Sequence, residues 1–445
     1  MDVPKAPRGA GALFTAPVVL ALVLLAAHLG GPAPFGASLL RLLVALAVVI
    51  GASRALGLAF AALHQPRVVG EMAAGILLGP VLLGRVAPGL SAQLLPAAVR
   101  PSLALVAQVS VLVYMFLVGV DFDAAHLRAR TRASVVISNA SIALPFALGF
   151  VLALLVRTTM GATASPPWVF ALFMGVAMSV TAFPVLARVV EECRLNGTAL
   201  GTLAMTCAAI GDATAWCLLA AVVSTARPDA QGIAAVLARL ALYLVVAIAG
   251  MRPLARALAA AWERPHRASV LALPATLAML AASAWATDAV GIHPIFGAFA
   301  AGLVVPADSR LARDLPGGMH AAVVLLMPAF FALAGLRMRA DALGGGALGA
   351  LLPVVIAVAT VGKVGGSAAA ARLTGLGWRD ALALGALMNT RGLMELVVLQ
   401  VGLDLGILPV GLYSVMVLMA LATTLMTTPV VQWLLRGRGE AAAAG

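Results

Sequence analysis

Charge is the first thing this chain lacks. Only 10% of its 445 residues are Asp, Glu, Lys or Arg, against 63% hydrophobic, and the mean hydropathy is +1.07. That balance excludes an ordinary soluble globular domain and points to a membrane protein. Lysine is rarest of all: Lys5 and Lys363 are the two in the sequence. Aromatic residues make up 5%, and the basic residues form no patch interleaved with them, so nucleic acid is not an expected partner despite a formal charge of +12. Three cysteines, Cys193, Cys207 and Cys217, lack metal-ligand spacing and read as small buried residues. Gly344, Gly346 and Gly349 match GxGxxG without a βαβ unit around them, which argues against a dinucleotide site. No nucleophile, base and acid constellation points to an enzyme, and no cofactor is implied.

What the chain has in abundance is apolar runs of about 16 to 28 residues, recurring from about residue 12 to 435. A bilayer core of roughly 30 Å takes about 20 helical residues to cross. The runs are continuous and do not alternate, so they are helices rather than barrel strands. The expected fold is an all-α polytopic membrane protein of about 13 to 14 transmembrane helices. Two runs, about 68–84 and 291–306, are short and are expected to be tilted, broken or partly spanning. With a cytoplasmic N-terminus, 18 of the 29 basic residues fall on that side and six on the other, the remainder lying within spans. The positive-inside rule then puts both termini in the cytoplasm of an inner (plasma) membrane protein. Residues 1–37 carry either an extra helix or a signal-like segment, since Lys5 and Arg8 precede LFTAPVVLALVLLAAHLG. An even helix count favours the retained helix.

The chain echoes itself. GEMAAGILLGP at 70–80 is matched by GAFAAGLVVP at 297–306, and GVDFDA at 119–124 by GLRMRA at 335–340, in the same order. Each pair is seven crossings apart, and an odd offset means opposite insertion. The expectation is two inverted six-helix repeats, 38–225 and 268–435, joined by a linker helix in 226–267 and followed by a short tail, 436–445. Secondary transporters commonly have this plan, with their sites near the midplane where the repeats meet.

Ionisable residues inside such spans are costly, and each needs a reason. Asp212 lies about midway along the run 198–225, in AAIGDATAW. Proton and cation would compete for that one carboxylate, and such competition suffices for exchange; the plainer alternative is a neutral Asp that ties helices together. Lys363, in TVGKVGGS, needs an anion nearby or must snorkel to an interface, and Asp212 is a possible partner. In VTAFPVLARVVEE, Pro184 removes a backbone donor and Thr181 offers a hydroxyl. The matching region of the second repeat reads MNTRGLMEL, where Asn389, Thr390, Arg391, Gly392 and Glu395 interrupt an apolar run. Broken helices expose carbonyls and dipole ends that hold ions. Arg391 and Glu395, four apart, can instead neutralise each other. Glu71 reads as a first-turn carboxylate of a short helix, and His293, before Pro294, as a packed helix-end residue.

Together, QPRVVGEMAAGILLGP, FLVGVDFD, MSVTAFPVLARVVEE, GDATAW, GIHPIFGAFAAGLVVP, the Lys363 helix and LMNTRGLMELVVL make the chain resemble the sodium/proton exchanger superfamily of monovalent cation:proton antiporters, over about 38–435. The nearest branch includes plant cation/proton exchangers and Kef-like transporters. The resemblance implies an elevator-like homodimer in which two broken helices cross within a core unit. It also implies that Asp212 binds ion and proton, that Thr181 and Pro184 belong to one crossing and Asn389 to Arg391 to the other, and that Lys363 is the core's basic residue.

Two features depart from the family pattern. Gly211 stands where members carry Asp or Asn before the key carboxylate, which suggests one cation per proton and little net charge movement. No nucleotide-binding regulatory domain follows Arg438, so nucleotide or redox gating is not expected. The leading reading is exchange of Na⁺ or K⁺ for H⁺ by alternating access. A channel-like cation efflux pathway and a non-transporting sensor subunit are the alternatives.

Overall fold

The computed structural model describes residues 35–63, 65–121, 132–160, 165–225, 238, 242–243, 245, 247–263, 267–289, 293–339 and 347–436. The expected helix at 12–30, and much of the one at 231–250, lie outside these residues. Among the described residues all regular structure is helical. This follows from the solvent: lipid offers no hydrogen bonds, so a spanning backbone must satisfy its own. By length and composition, seven helical stretches among the described residues are long and apolar enough to cross a membrane.

The principal helices are α1 (Phe35–Ala62), α2 (Arg67–Leu78), α3 (Arg100–Asp121), α4 (Arg132–Met160), α5 (Pro167–Ser179), α6 (Phe183–Glu192), α7 (Ala199–Thr225) and α8 (Arg252–Trp262). They continue with α9 (Arg267–Ala289), α10 (Pro294–Leu303), α11 (Arg310–Leu336), α12 (Ala347–Leu373), α13 (Trp378–Met388), α14 (Leu393–Asp404) and α15 (Val410–Leu435). Several of the shorter helices, α5, α6, α8 and α10, start with proline at the first or second position, where the missing N–H has no helical partner to lose. The short runs are short helices, α2 with 12 residues and α10 with 10. Because α2 begins at Arg67 directly after Pro66, Glu71 stands just past its first turn rather than within it. His293 caps α10, its Nδ1 accepting the Ile295 N–H at 3.4 Å.

Two long apolar runs are interrupted. The first stops at Ser179, passes through Val180 to Ala182 in non-helical conformation, and resumes at Phe183 as α6. The second stops at Met388 and resumes at Leu393 as α14.

The chain divides into two compact units, each assembled from both sequence halves. One is drawn from Met1–Gly51, Ala87–Asp123 and Arg227–Leu333, the other from Ala52–Val86, Ala124–Ala226 and Ala334–Gly445. In the first, α10 packs on α3 and α9. A β-carbon on Gly302 would strike the Phe116 carbonyl and come within 2.8 Å of Gly119 Cα. In the second, α12 packs on α4, α13 and α15, and α4 on α5, through small residues that let backbones approach as van der Waals packing in lipid requires. There a β-carbon on Gly335 would strike the Gly75 carbonyl, and one on Gly79 the Gly335 carbonyl. Gly75 and Gly302 hold equivalent places in one echoed motif, and Gly119 and Gly335 lead the other. The same contact is therefore made twice, once in each unit.

These contacts leave no room for a methyl group. Gly302→Ala and Gly335→Ala should each destabilise the detergent-solubilised protein by about 1–3 kcal/mol from overpacking. Gly317→Ala, whose β-carbon meets nothing within 4 Å, should leave thermal unfolding unchanged or slightly raised. Equal unfolding curves for all three would show that the glycine contacts carry no packing constraint.

Candidate functional site

In the second unit the two interruptions cross. The Ala182 N–H donates to the Thr390 carbonyl at 3.0 Å, and Thr181 Oγ1 donates to the Met388 carbonyl at 3.2 Å. The side chains of Thr181, Asn389, Thr390 and Arg391 are all buried there. Pro184 falls in the first turn of α6, so it begins a half-helix rather than kinking a continuous one. Gly392 is needed for the close approach, since a β-carbon on it would lie 2.7 Å from Val185 Cγ2.

A break in a membrane helix frees backbone groups at both cut ends, and here buried side chains meet them. The carbonyls at the C-terminal end of α5 carry partial negative charge. Lys363, wholly buried on α12, donates to Ser179 O at 2.5 Å and to Ser141 O of α4 at 3.0 Å. Arg391, also wholly buried, donates to Ala177 O at 3.2 Å and Met178 O at 2.6 Å. Its guanidinium pairs with Glu395 at 2.5 Å, both side chains being inaccessible to solvent. The pairing expected from their spacing is thus what the structure contains. On α15, Thr424 Oγ1 accepts the Arg391 N–H at 3.0 Å and donates to the Arg391 carbonyl at 2.6 Å.

The opposite cut end is the N-terminus of α6, where free N–H groups favour an anion. Asp212, on α7 and 7% exposed, is the carboxylate at this end: the Phe183 N–H and the Lys363 charge both act on it. Its Oδ1 has no hydrogen-bond partner among the described residues, and neither has Asn389 Oδ1. One carboxylate with neutral oxygens is a donor set for a small hard cation or a proton. The described residues contain no group of three His, Cys, Asp or Glu side chains able to hold a resident metal ion. Beside it, a β-carbon on Gly211 would meet a single atom within 4 Å, Ser138 Oγ at 3.6 Å, so the departure at this position leaves space rather than a substitute carboxylate.

Glu71 is apart from this set; it faces Arg54 at 3.8 Å on the same unit. The sequence reading missed Thr424, Ser138 and the carbonyls of Ser141 and Ser179. The threonine had a signal: Thr423, Thr424, Thr427 and Thr428 form an unusually polar stretch in an apolar run. A carbonyl used as a ligand has none, because every residue carries one.

A family model described as sodium/hydrogen exchanger, transmembrane, matches residues 43–437. The chain is 38% identical over 397 residues to the Na⁺/H⁺ antiporter NhaS4 of Synechocystis sp., a match covering 88% of this chain and 97% of that protein. It is 37% identical to cation/H⁺ antiporter 20 of Arabidopsis thaliana and 34% identical to K⁺/H⁺ antiporter 1 of Saccharomyces cerevisiae. Those matches cover 90% and 84% of this chain but 49% and 44% of the relatives, so the chain spans about half the length of the plant and yeast proteins. Among solved structures, the sodium proton antiporter MjNhaP1 of Methanocaldococcus jannaschii at pH 8 has the same fold, with a TM-score of 0.65 at 13% identity over 88% of this chain and 98% of that one.

The buried Arg391–Glu395 pair tests the electrostatic account of the crossing. Arg391→Met should cost about 3–5 kcal/mol in thermal unfolding, because it strands Glu395 without a counter-charge. The double variant Arg391→Met/Glu395→Met should recover more than half of that loss. A double variant no more stable than the single would mean that the carbonyl contacts of Arg391, not the pairing, dominate.

Proposed function

Since the chain belongs to the sodium/hydrogen exchanger family, we propose that it exchanges Na⁺ or K⁺ for H⁺ across the membrane by alternating access, with Asp212 as the group that is protonated and cation-loaded in turn. The observation that carries this reading is the Asp212 carboxylate itself. One side of it is met by the Phe183 N–H at a half-helix N-terminus, and Oδ1 is left without a partner. A buried carboxylate oxygen with no protein partner can be occupied by a proton or by a monovalent cation, and the two bring the same charge. Neither can be present with the other on the same oxygen. Thr181 and Asn389 supply neutral oxygens from the two broken helices, Lys363 fixes the charge of the site, and Arg391 with Glu395 holds the crossing.

The ledger of buried charge supports a one-for-one exchange. Asp212 and Glu395 balance Lys363 and Arg391, all four being buried in the same unit. If only Asp212 changes its occupant, the unit carries the same charge with a cation as with a proton. A full cycle then moves no net charge. Gly211 adds no second carboxylate to alter that balance.

The twice-made glycine contact, Gly75 with Gly335 and Gly302 with Gly119, is what two inverted repeats would produce, and it supports the division 38–225 and 268–435. Arg372 stacks over Trp378 at 5.0 Å, near Arg379 at the start of α13, and exposed Trp433 lies near Arg436 at the end of α15. Aromatic anchors beside arginines suit a cytoplasmic interface, and hence cytoplasmic termini in the plasma (inner) membrane. A homodimer is the assembly we propose with the family.

Everted vesicles holding the protein should show dye-reported collapse of a preset ΔpH on adding Na⁺ or K⁺, and Asp212→Asn should abolish it while the protein still purifies as a folded species. Exchange that survives Asp212→Asn would remove the central assignment, and cation flux without proton counterflow would point to a channel instead. In proteoliposomes, the exchange rate should be insensitive to an imposed membrane voltage; a steep voltage response would refute the one-for-one cycle.

A further inference from the structure

We propose that Thr424 is a positioning residue for the exchange: by clamping the main chain of Arg391 it sets where the Phe183 N–H meets Asp212. The inference rests on the reading of Asp212 as the exchanging carboxylate. Thr424 is wholly buried on α15. Its hydroxyl accepts the Arg391 N–H at 3.0 Å and donates to the Arg391 carbonyl at 2.6 Å, with Ala420 O of its own helix at 2.8 Å. Its neighbours on the same helix make only local bonds. Thr423 Oγ1 donates to Met419 O and Ala420 O, and Thr427 Oγ1 to Thr423 O, the ordinary back-bonds of a helical threonine.

From Arg391 a continuous path leads to the carboxylate. The carbonyl of Thr390, the preceding residue, accepts the Ala182 N–H at 3.0 Å, and Ala182 precedes Phe183, whose N–H acts on the Asp212 carboxylate. Thr181 Oγ1 on Met388 O adds a second tie between the two interrupted stretches. The two stretches are thus registered against each other, and Thr424 references the second of them to an uninterrupted helix. At the second break the Asn389 N–H still reaches Gly385 O at 3.1 Å, whereas the Arg391 amide and carbonyl both bond this one hydroxyl, which fixes their position. Valine would keep the shape of Thr424 and lose both bonds, leaving two buried backbone groups to find partners by shifting along the crossing. Such a shift moves the donor on Asp212, and with it the relative hold on cation and proton.

The test uses the full-length protein, reconstituted for exchange and in detergent for binding. Exchange gives the apparent KM for Na⁺ and K⁺ and the pH of half-maximal rate. Thermal unfolding in detergent gives the NaCl or KCl concentration of half-maximal stabilisation, which needs no turnover. Thr424→Val should raise both cation constants about tenfold and displace the pH midpoint, as expected for stranded buried hydrogen-bonding groups. Thr424→Ser should restore wild-type values, and Thr423→Val should leave them unchanged. Should Thr424→Val not purify folded, Thr424→Ala carries the same comparison. A fall in yield or maximal rate alone, at unchanged constants and pH profile, would make Thr424 a packing residue and overturn the proposal. Asp212→Asn is measured alongside: exchange that persists in it overturns the Asp212 reading and this inference with it, whereas its loss there beside unchanged constants in Thr424→Val overturns the positioning role alone.

Discussion

The structure depends on one constraint: a backbone that stops being helical inside a membrane must find its hydrogen bonds in the protein. The break after Ser179 would strand carbonyls at the end of α5, and the break after Met388 would strand an amide and a carbonyl at Arg391. Lys363 and Arg391 take the first set, two cations placed against the negative end of a half-helix. Thr424 takes the second. Glu395 then balances Arg391, and Asp212 meets the positive end of α6 while feeling the charge of Lys363. Each charged group in this core answers either a cut helix end or another charge. Asp212 Oδ1 is left without a partner among the described residues, as are Asn389 Oδ1, Arg391 Nε and Glu395 Oε1, and it is at Asp212 that we propose the exchange takes place.

The same constraint explains why small residues sit where the helices come closest. Lipid tails do not drive helices together, so close contact has to come from van der Waals fit. Gly75 against Gly335, and Gly302 against Gly119, are points of close fit in their respective units. Both contacts join a short helix, α2 or α10, to the end of a longer one, α11 or α3. Each of the two units draws on both halves of the chain, and each uses the equivalent contact.

Much of this was legible along the chain. Apolar runs of spanning length gave the helices, and the echo of GEMAAG by GAFAAG gave the paired short ones. Asp212 and Lys363 stood out because charge is so scarce that any buried instance demands a cause. The spacing of Arg391 and Glu395 predicted their pairing. The breaks were legible too, from Pro184 and the polar run Asn389 to Gly392. Their limits were less so: Pro184 starts α6 instead of bending a continuous helix, because the non-helical stretch lies at Val180 to Ala182.

What the sequence determined by itself was therefore the solvent, the class of fold and the identity of the buried charges, since these follow from local composition and from the cost of ionisable groups in lipid. The tertiary structure alone decided which group meets which. That Lys363 caps Ser141 and Ser179 through their carbonyls, that Arg391 reaches across to Ala177 and Met178, and that Thr424 holds Arg391 are contacts between residues up to 222 positions apart. Backbone carbonyls are identical at every position, so no pattern of side chains marks the few that a fold will bring beside a buried cation.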